Sequence, residues 1–300
     1  MQNRPETHSE LAPGLRRILA PNPSPMTYWG TNSYLLGEGS ERVLIDPGPD
    51  LPDHRAAILA ALPPGVSISH ILVTHAHVDH SAGAAALARE TGAETHAFGD
   101  AKAGRAAHME RLSDTLGGGE GVDEHFRPDV TLPHTTEIDT GAGRITALHT
   151  PGHMGNHLCF HWQGADGDAV FSGDLIMGWS SSLISPPDGD AAAFRDSCAL
   201  VQEIGADRLY PGHGAPVDSP KERIAFLLTH RAGREAQILA ALAQAPMGLM
   251  DLTRSIYSDL PQSHLPAAAR NTLAHLIDLT QRNRVRATPE LSEKAEFSMA

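Results

Sequence analysis

Apolar positions in this chain fall into short runs that end at turns, which is typical of alternating strands and helices. Two strand-like runs, 32–36 and 42–45, are separated by the polar and glycine-rich segment 37–40 and predict a hairpin. A helix is predicted over 53–62 and a buried strand over 68–74. Three further strands are predicted over 144–150, 157–162 and 169–172. Short strands interleaved with helices indicate a layered α/β or α+β domain.

The pattern becomes helical from Pro220 onward. Apolar spacing predicts helices over 221–242, 249–257 and 265–281. We therefore predict a larger domain over residues 1–219 and a small helical module over 220–286. The polar segment 287–300 is predicted to be a loose tail.

Charge divides the chain in the same place. The net charge is −13, and residues 1–219 hold 13 Lys and Arg against 28 Asp and Glu. Residues 220–300 hold 10 against 8, a net of +2. An acidic main domain repels a phosphate backbone, so nucleic acid is not favoured as a substrate.

The remaining composition is that of an ordinary globular protein, with 41% hydrophobic and 20% charged residues. No apolar run is long enough to span a membrane, and the first residues lack the apolar core of a signal peptide. The two cysteines are too few for a disulfide framework. We therefore expect a cytoplasmic protein with no membrane partner.

The most specific chemical signal is the run His75-Ala76-His77-Val78-Asp79-His80. It places four potential metal ligands between a predicted strand and a predicted helix, where rigid elements support them. The chain holds 18 histidines, so an isolated one carries little information. Four ligand-type side chains within six residues indicate a metal site suited to zinc, with iron or manganese as alternatives.

Three more candidate ligands follow apolar runs farther along the chain. His153, Asp174 and His213 each come directly after a glycine, which lets the backbone turn tightly and aim the side chain inward. Together with the four residues above they make seven ligands, enough for two metal ions that share one carboxylate.

The order of these residues resembles the binuclear pattern of the metallo-β-lactamase superfamily from about residue 26 to 215. The resemblance implies a four-layer αββα sandwich with the site at one edge. It also implies that Asp174 bridges the two ions. The true lactamases of one class carry cysteine at this position, so Asp174 argues against that class. The two implied ligand sets are His75, His77 and His153 for one zinc ion, and Asp79, His80 and His213 for the other.

Several segments are similar to the lactamase-beta-2-like group, including 31–35, 149–153 and 185–190. That group ends in a small winged-helix-like domain, which residues 237–286 resemble. The resemblance implies a hydrolase in which a metal-bridging hydroxide attacks a small ester, thioester or lactone-like substrate, with Asp79 orienting the water or moving a proton. An endoribonuclease, a persulfide dioxygenase with one iron ion, and a non-catalytic binding protein are the alternatives.

Other candidate roles stay open at this point. Asp46 either orients ligands by hydrogen bonding or forms an Asx-turn before Pro47. His157, four residues after His153, either faces the site or is a structural histidine. The C-terminal module either binds nucleic acid through its arginines, caps the cleft, or forms a homodimer interface. The arginines in question are Arg270, Arg282, Arg284 and Arg286.

Overall fold

The computed structural model describes residues 4–164 and 167–300. Its first sheet has seven strands in the order of the chain, antiparallel from β1 to β4 and parallel from β4 to β7. These strands are β1 (His8–Ala12), β2 (Leu15–Leu19), β3 (Asn32–Leu36), β4 (Glu41–Ile45), β5 (Ser67–Leu72), β6 (Glu94–Ala97) and β7 (Val130–Thr131).

The second sheet has five strands in the order β12-β11-β10-β9-β8, in which only β11 and β12 are parallel. These strands are β8 (Thr136–Thr140), β9 (Gly143–His149), β10 (Leu158–Gly164), β11 (Gly167–Gly173) and β12 (Arg208–Pro211). The predicted strands over 144–150, 157–162 and 169–172 are confirmed as β9, β10 and β11.

Helices cover the outer face of each sheet. The helices are α1 (Pro52–Ala60), α2 (Val78–Ser81), α3 (Ala84–Thr91), α4 (Ala107–Leu112), α5 (Ala191–Ile204), α6 (Pro220–Leu242), α7 (Leu249–Ile256) and α8 (Leu265–Gln281). One apolar cluster joins α1 and α3 to the first sheet, a second joins the two sheets, and a third joins α5 and the first half of α6 to the second sheet. The order of layers is therefore αββα, as the resemblance implies.

Neighbouring apolar side chains explain why the two sheets stack. Tyr34 and Ile45 point inward from the first sheet, and Phe160, Phe171 and Tyr210 point inward from the second. The Tyr34 and Phe171 rings meet edge to face, with centroids 5.1 Å apart. Alternate positions along each strand supply this interior, because successive side chains of a strand point to opposite faces.

The apolar core of the C-terminal module is formed by the second half of α6 with α7 and α8, and Met109 and Leu116 of the larger domain also contribute to it. The three predicted helices are confirmed, and a three-stranded sheet in the order β13-β15-β14 completes the module. Its strands are β13 (Met247–Gly248), β14 (Val285–Thr288) and β15 (Glu296–Met299).

The prediction of a loose tail over 287–300 is wrong. Residues 296–299 pair with β14 and with β13, and the Phe297 side chain is completely buried in the core of the module. Burial of one aromatic side chain, together with backbone pairing on both sides, outweighs the polar character of the rest of the segment. Among the described residues, no helix is long and apolar enough to cross a membrane.

Candidate metal centre

Strand ends deliver the seven candidate ligands to one edge of the sandwich. His75 and His77 follow β5, while Asp79 and His80 lie on the short helix α2. The other three follow β9, β11 and β12, in the order His153, Asp174 and His213. The chain can fold this tightly because Gly212 has no side chain: a Cβ there would lie 2.5 Å from Asp174 Oδ1 and 2.6 Å from His80 Cε1.

The side chains converge in two groups. His77 Nδ1 lies 2.9 Å from His75 Nε2 and 3.0 Å from His153 Nε2. His213 Nε2 lies 3.3 Å from both His80 Nε2 and Asp79 Oδ2. Within each group the possible ligand atoms lie within 4.8 Å of one another.

Asp174 lies between the two groups. Its Oδ2 is 3.7 Å from His153 Nε2 in the first group and 3.4 Å from His213 Nε2 in the second. Its Oδ1 is 3.5 Å from His80 Nε2, is buried, and accepts no hydrogen bond from the residues that the structure describes. A buried carboxylate oxygen without a donor is costly unless a cation lies against it.

The protonation of the first group also suits a metal ion. Burial lowers the pKa of His75 and His153, and it lowers the pKa of His77 to about 3. These imidazoles are therefore neutral, which is the form that binds metals.

The second group carries more charge. Burial opposes protonation of His80, but the carboxylates of Asp79, Asp174 and Asp46 outweigh it and raise the pKa of His80 to about 9. His213 behaves in the same way beside Asp174 and Asp79, and its pKa is raised. These carboxylates attract positive charge to this point, so the mixed nitrogen and oxygen donors fit a divalent cation such as zinc or iron.

Asp46 contacts one histidine of each group, one of them through Thr74. Its Oδ2 accepts a hydrogen bond from His80 Nδ1 at 2.8 Å, and its two oxygens accept from the Thr74 hydroxyl at 2.8 Å and the Thr74 N–H at 2.7 Å. The Thr74 oxygen in turn lies 2.9 Å from His75 Nδ1. These contacts favour the interpretation of Asp46 as a residue that orients ligands over the Asx-turn.

His157 is buried beside the centre and touches it through the backbone. Its Nε2 accepts the backbone N–H of Asp174 at 3.2 Å, and its Nδ1 lies 3.0 Å from the Thr150 hydroxyl. Burial holds its pKa well below the usual value, so the ring is neutral. Because its nitrogens are engaged in this way, His157 supports the Asp174 backbone.

Sequence reasoning missed two threonines and a carbonyl. Thr31 donates a hydrogen bond to Asp79 Oδ2 at 3.2 Å, and Thr74 relays Asp46 to His75. The Leu183 carbonyl accepts from His153 Nδ1 at 2.7 Å. The position of Thr74 directly before the His75–His80 run is the one local signal that could have found it.

A cleft of about 600 Å³ opens over the centre. His77 and Asp79 face it as half-buried side chains, and Asp79 keeps 22% of its side chain exposed. The C-terminal module supplies part of its wall through Pro266, Ala267 and Arg270, so the module borders the candidate site. The lining includes apolar Met26, Val78, Val122, Leu183, Pro266 and Ala267, and polar Thr27, Glu120, Ser185, Asp188 and Arg270.

Arg270 is the cationic side chain of that lining, and it is already engaged. Its guanidinium forms an ion pair with Glu293, and it donates to the Ser185 hydroxyl at 2.9 Å and to the Gly117 carbonyl. Arg282 likewise pairs with Glu235 at 2.6 Å and Asp278 at 3.0 Å.

Comparison with known proteins places this arrangement in a family. Residues 26–213 match the model of the metallo-beta-lactamase superfamily, and residues 249–294 match that of the beta-lactamase associated winged helix domain. The chain is 32% identical over 293 residues to "Beta-lactamase-like protein 2 homolog" of Drosophila melanogaster, which covers 95% of this chain and 94% of the relative.

Two further similarities concern chemistry and fold. The chain is 32% identical over 251 residues to an "Atrochrysone carboxyl ACP thioesterase" of Passalora fulva, covering 82% of this chain and 67% of that protein. The crystal structure of a beta-lactamase domain protein from Burkholderia ambifaria superposes with a TM-score of 0.77 at 21% identity. That match covers 98% of this chain and 93% of the other. At this identity it supports the fold, including the C-terminal module.

Proposed function

Because this chain belongs to the metallo-beta-lactamase superfamily and is a hydrolase, we propose that it uses two zinc ions to hydrolyse a small thioester, ester or lactone-like substrate. The position of Asp174 between two groups of imidazole nitrogens carries this proposal. In it, His75, His77 and His153 bind one ion, Asp79, His80 and His213 bind the other, and Asp174 binds both.

A pair of divalent ions, when bound, activates water at neutral pH and polarises the scissile carbonyl. The protein holds the ligand histidines in their metal-binding tautomers, and it supplies a group that accepts the proton lost by the attacking water. Asp79 is suited to the second task, since it reaches the cleft and is held by the Thr31 hydroxyl. A carboxylate oxygen of Asp79 then accepts the proton that the attacking water loses.

The side chains that line the cleft favour an acyl substrate over RNA. Its wall contains methionine, valine, leucine and proline side chains, which suit the apolar part of an acyl group. Arg270 is paired with Glu293 and is not free to bind a phosphate backbone. Similarity to a relative named a thioesterase points to the same class of substrate.

Metal analysis tests the proposal most directly. Elemental analysis of protein purified without added metal should find about two zinc ions per chain, and fewer in Asp174→Ala. Thioester hydrolysis should fall more than about 100-fold in the variant, since loss of a shared ligand disturbs both ions. The matched control is Asp129→Ala, because Asp129 accepts hydrogen bonds from Thr95 and lies outside the ligand set.

Two results would contradict the proposal. One iron ion per chain, with oxygen-dependent turnover of a persulfide, would replace it with the dioxygenase alternative. The second result is a protein that binds two metal ions and cleaves single-stranded RNA but hydrolyses no thioester, ester or lactone in a substrate panel. It would leave the binuclear centre in place and replace the proposed substrate class.

A further inference from the structure

A short segment, Ser182–Ser185, fixes the orientation of His153. The Leu183 carbonyl accepts a hydrogen bond from His153 Nδ1 at 2.7 Å. A carbonyl only accepts, so Nδ1 carries the proton and Nε2 is left with its lone pair directed at His77 and Asp174. The position of this one carbonyl therefore determines which nitrogen of His153 faces the proposed metal.

The C-terminal module holds the same segment on both sides of Leu183. Arg231 of α6 donates to the Ser182 carbonyl. Asn271 of α8 accepts the Ile184 N–H through its Oδ1 at 3.1 Å. Arg231 also donates to that Asn271 oxygen at 2.8 Å, so the two side chains form one unit.

Burial of the Arg231 guanidinium costs desolvation free energy. Its side chain is 4% exposed, and burial lowers its pKa to about 10. Within residues 4–164 and 167–300 its guanidinium donates to the Ser182 carbonyl and the Asn271 amide oxygen and to no carboxylate, and its Nε finds no acceptor. The Phe194 ring, 5.2 Å away, offsets only part of the cost.

An apolar side chain of similar size would fill an interface between helices at lower cost. A buried, unpaired charge of this kind is expected where the side chain is needed for a functional contact and not for packing. The contact that distinguishes Arg231 is its hydrogen bond to the peptide unit before Leu183.

We propose that Arg231 and Asn271 are positioning residues of the metal centre, which fix the Leu183 carbonyl and through it the metal-binding tautomer of His153. This inference rests on the proposed function, because it takes His153 to be a ligand. It makes the C-terminal module a supporting part of the centre as well as a wall of the cleft.

The test is the affinity of the full-length protein for Zn²⁺, measured by competition with a chelator of known affinity. Asn271→Ala should weaken binding of one of the two ions about 10-fold. This is the lower end of the loss expected when a ligand loses its own hydrogen-bond partner, because Asn271 acts on His153 through the Leu183 carbonyl. Asn271→Asp keeps the acceptor oxygen and should retain the wild-type affinity. Thermal unfolding of the metal-free proteins establishes that each variant is folded.

Arg195→Gln is the matched control. Arg195 joins α5 to α8 through Asp278 at 2.7 Å, in the same interface, and among the described residues its guanidinium pairs with Asp278 and not with the Ser182–Ser185 segment. Asp278 keeps Arg282 as a partner at 3.0 Å when Arg195 is lost. The control should therefore lower stability and leave Zn²⁺ affinity within about twofold of wild type.

The outcomes separate this inference from the proposed function. Wild-type affinity in a folded Asn271→Ala protein overturns the inference alone. An equal loss in Arg195→Gln also overturns it, since the effect would then be one of general stability. A wild-type protein that binds no metal overturns both.

Discussion

Asp46→Asn is the sharpest test of how the centre is organised, because it exchanges one oxygen for a nitrogen. An ionised carboxylate only accepts hydrogen bonds, so His80 and the Thr74 hydroxyl must both donate to it. Thr74 then accepts from His75 Nδ1, and with the ions bound both histidines would present an unprotonated Nε2 to the centre. The Asn amide would donate at the Oδ2 position and reverse both tautomers.

The expected loss can be worked from these contacts. An outer hydrogen-bond partner is worth 10–100-fold in metal affinity, or about 1.4–2.7 kcal/mol. Asp46 reaches one histidine of each group, so both ions should be weakened and the combined loss should be about 3–5 kcal/mol. Backbone strain adds little, because Asp46 has φ of 52° and asparagine tolerates this region as well as aspartate.

Chelator competition measures the affinity for each of the two ions. Thr74→Val separates the contact of Asp46 with His75, which runs through Thr74, from its direct contact with His80. Valine removes the hydroxyl that relays to His75 and leaves the direct contact of Asp46 with His80. It should therefore weaken one ion only, while Thr74→Ser should behave as wild type. Two ions bound to a folded Asp46→Asn protein with wild-type affinity would refute the proposed control of tautomers.

Two further predictions concern stability. Burial lowers the pKa of His54 to about 4, and its Nε2 lies 2.8 Å from the Ser33 hydroxyl. Between pH 6.5 and 4 the unfolded chain binds the extra proton, so the contribution of His54 to the free energy of unfolding should fall by about 3 kcal/mol as the pH is lowered through this window. Urea unfolding at several pH values should show a shallower dependence in His54→Gln, and equal slopes would contradict the assignment. Phe297→Ala should cost about 3–5 kcal/mol in the same assay, whereas a loose tail would show almost no change.

The fold could be predicted where local pattern and burial agree. The strands β9, β10 and β11 carry apolar runs of their own, and α6 and α8 carry helical spacing over many turns. The strand β15 could not be found in this way, because its four residues include only Phe297 and Met299 as apolar positions. Its structure depends on pairing with β13 and β14, which is not visible in its own sequence.

The candidate site divides along the same line. Histidine and aspartate are rare enough in combination that the run from His75 to His80 stands out in the sequence. The group that orients His153 is a backbone carbonyl, which every residue possesses, so no residue type at position 183 could have indicated it. Side chains that hold that carbonyl come from about 50 and 90 residues farther along the chain.

Metal ligands and the residues that orient them therefore differ in how well they can be recognised from the sequence. A ligand must offer a particular atom, so its residue type is constrained and its signal is local. An orienting contact must only place a donor or an acceptor correctly, and that task depends on the packing of α6 and α8 against the second sheet. Arg231 and Asn271 orient a ligand, but their residue types are also constrained. Only long or polar side chains of this kind can hydrogen-bond a buried peptide group from the C-terminal module. Among the described residues Arg231 is a buried cation with no carboxylate partner, and the proposed role of the C-terminal module follows from that contact pattern and not from the surface charge of the module.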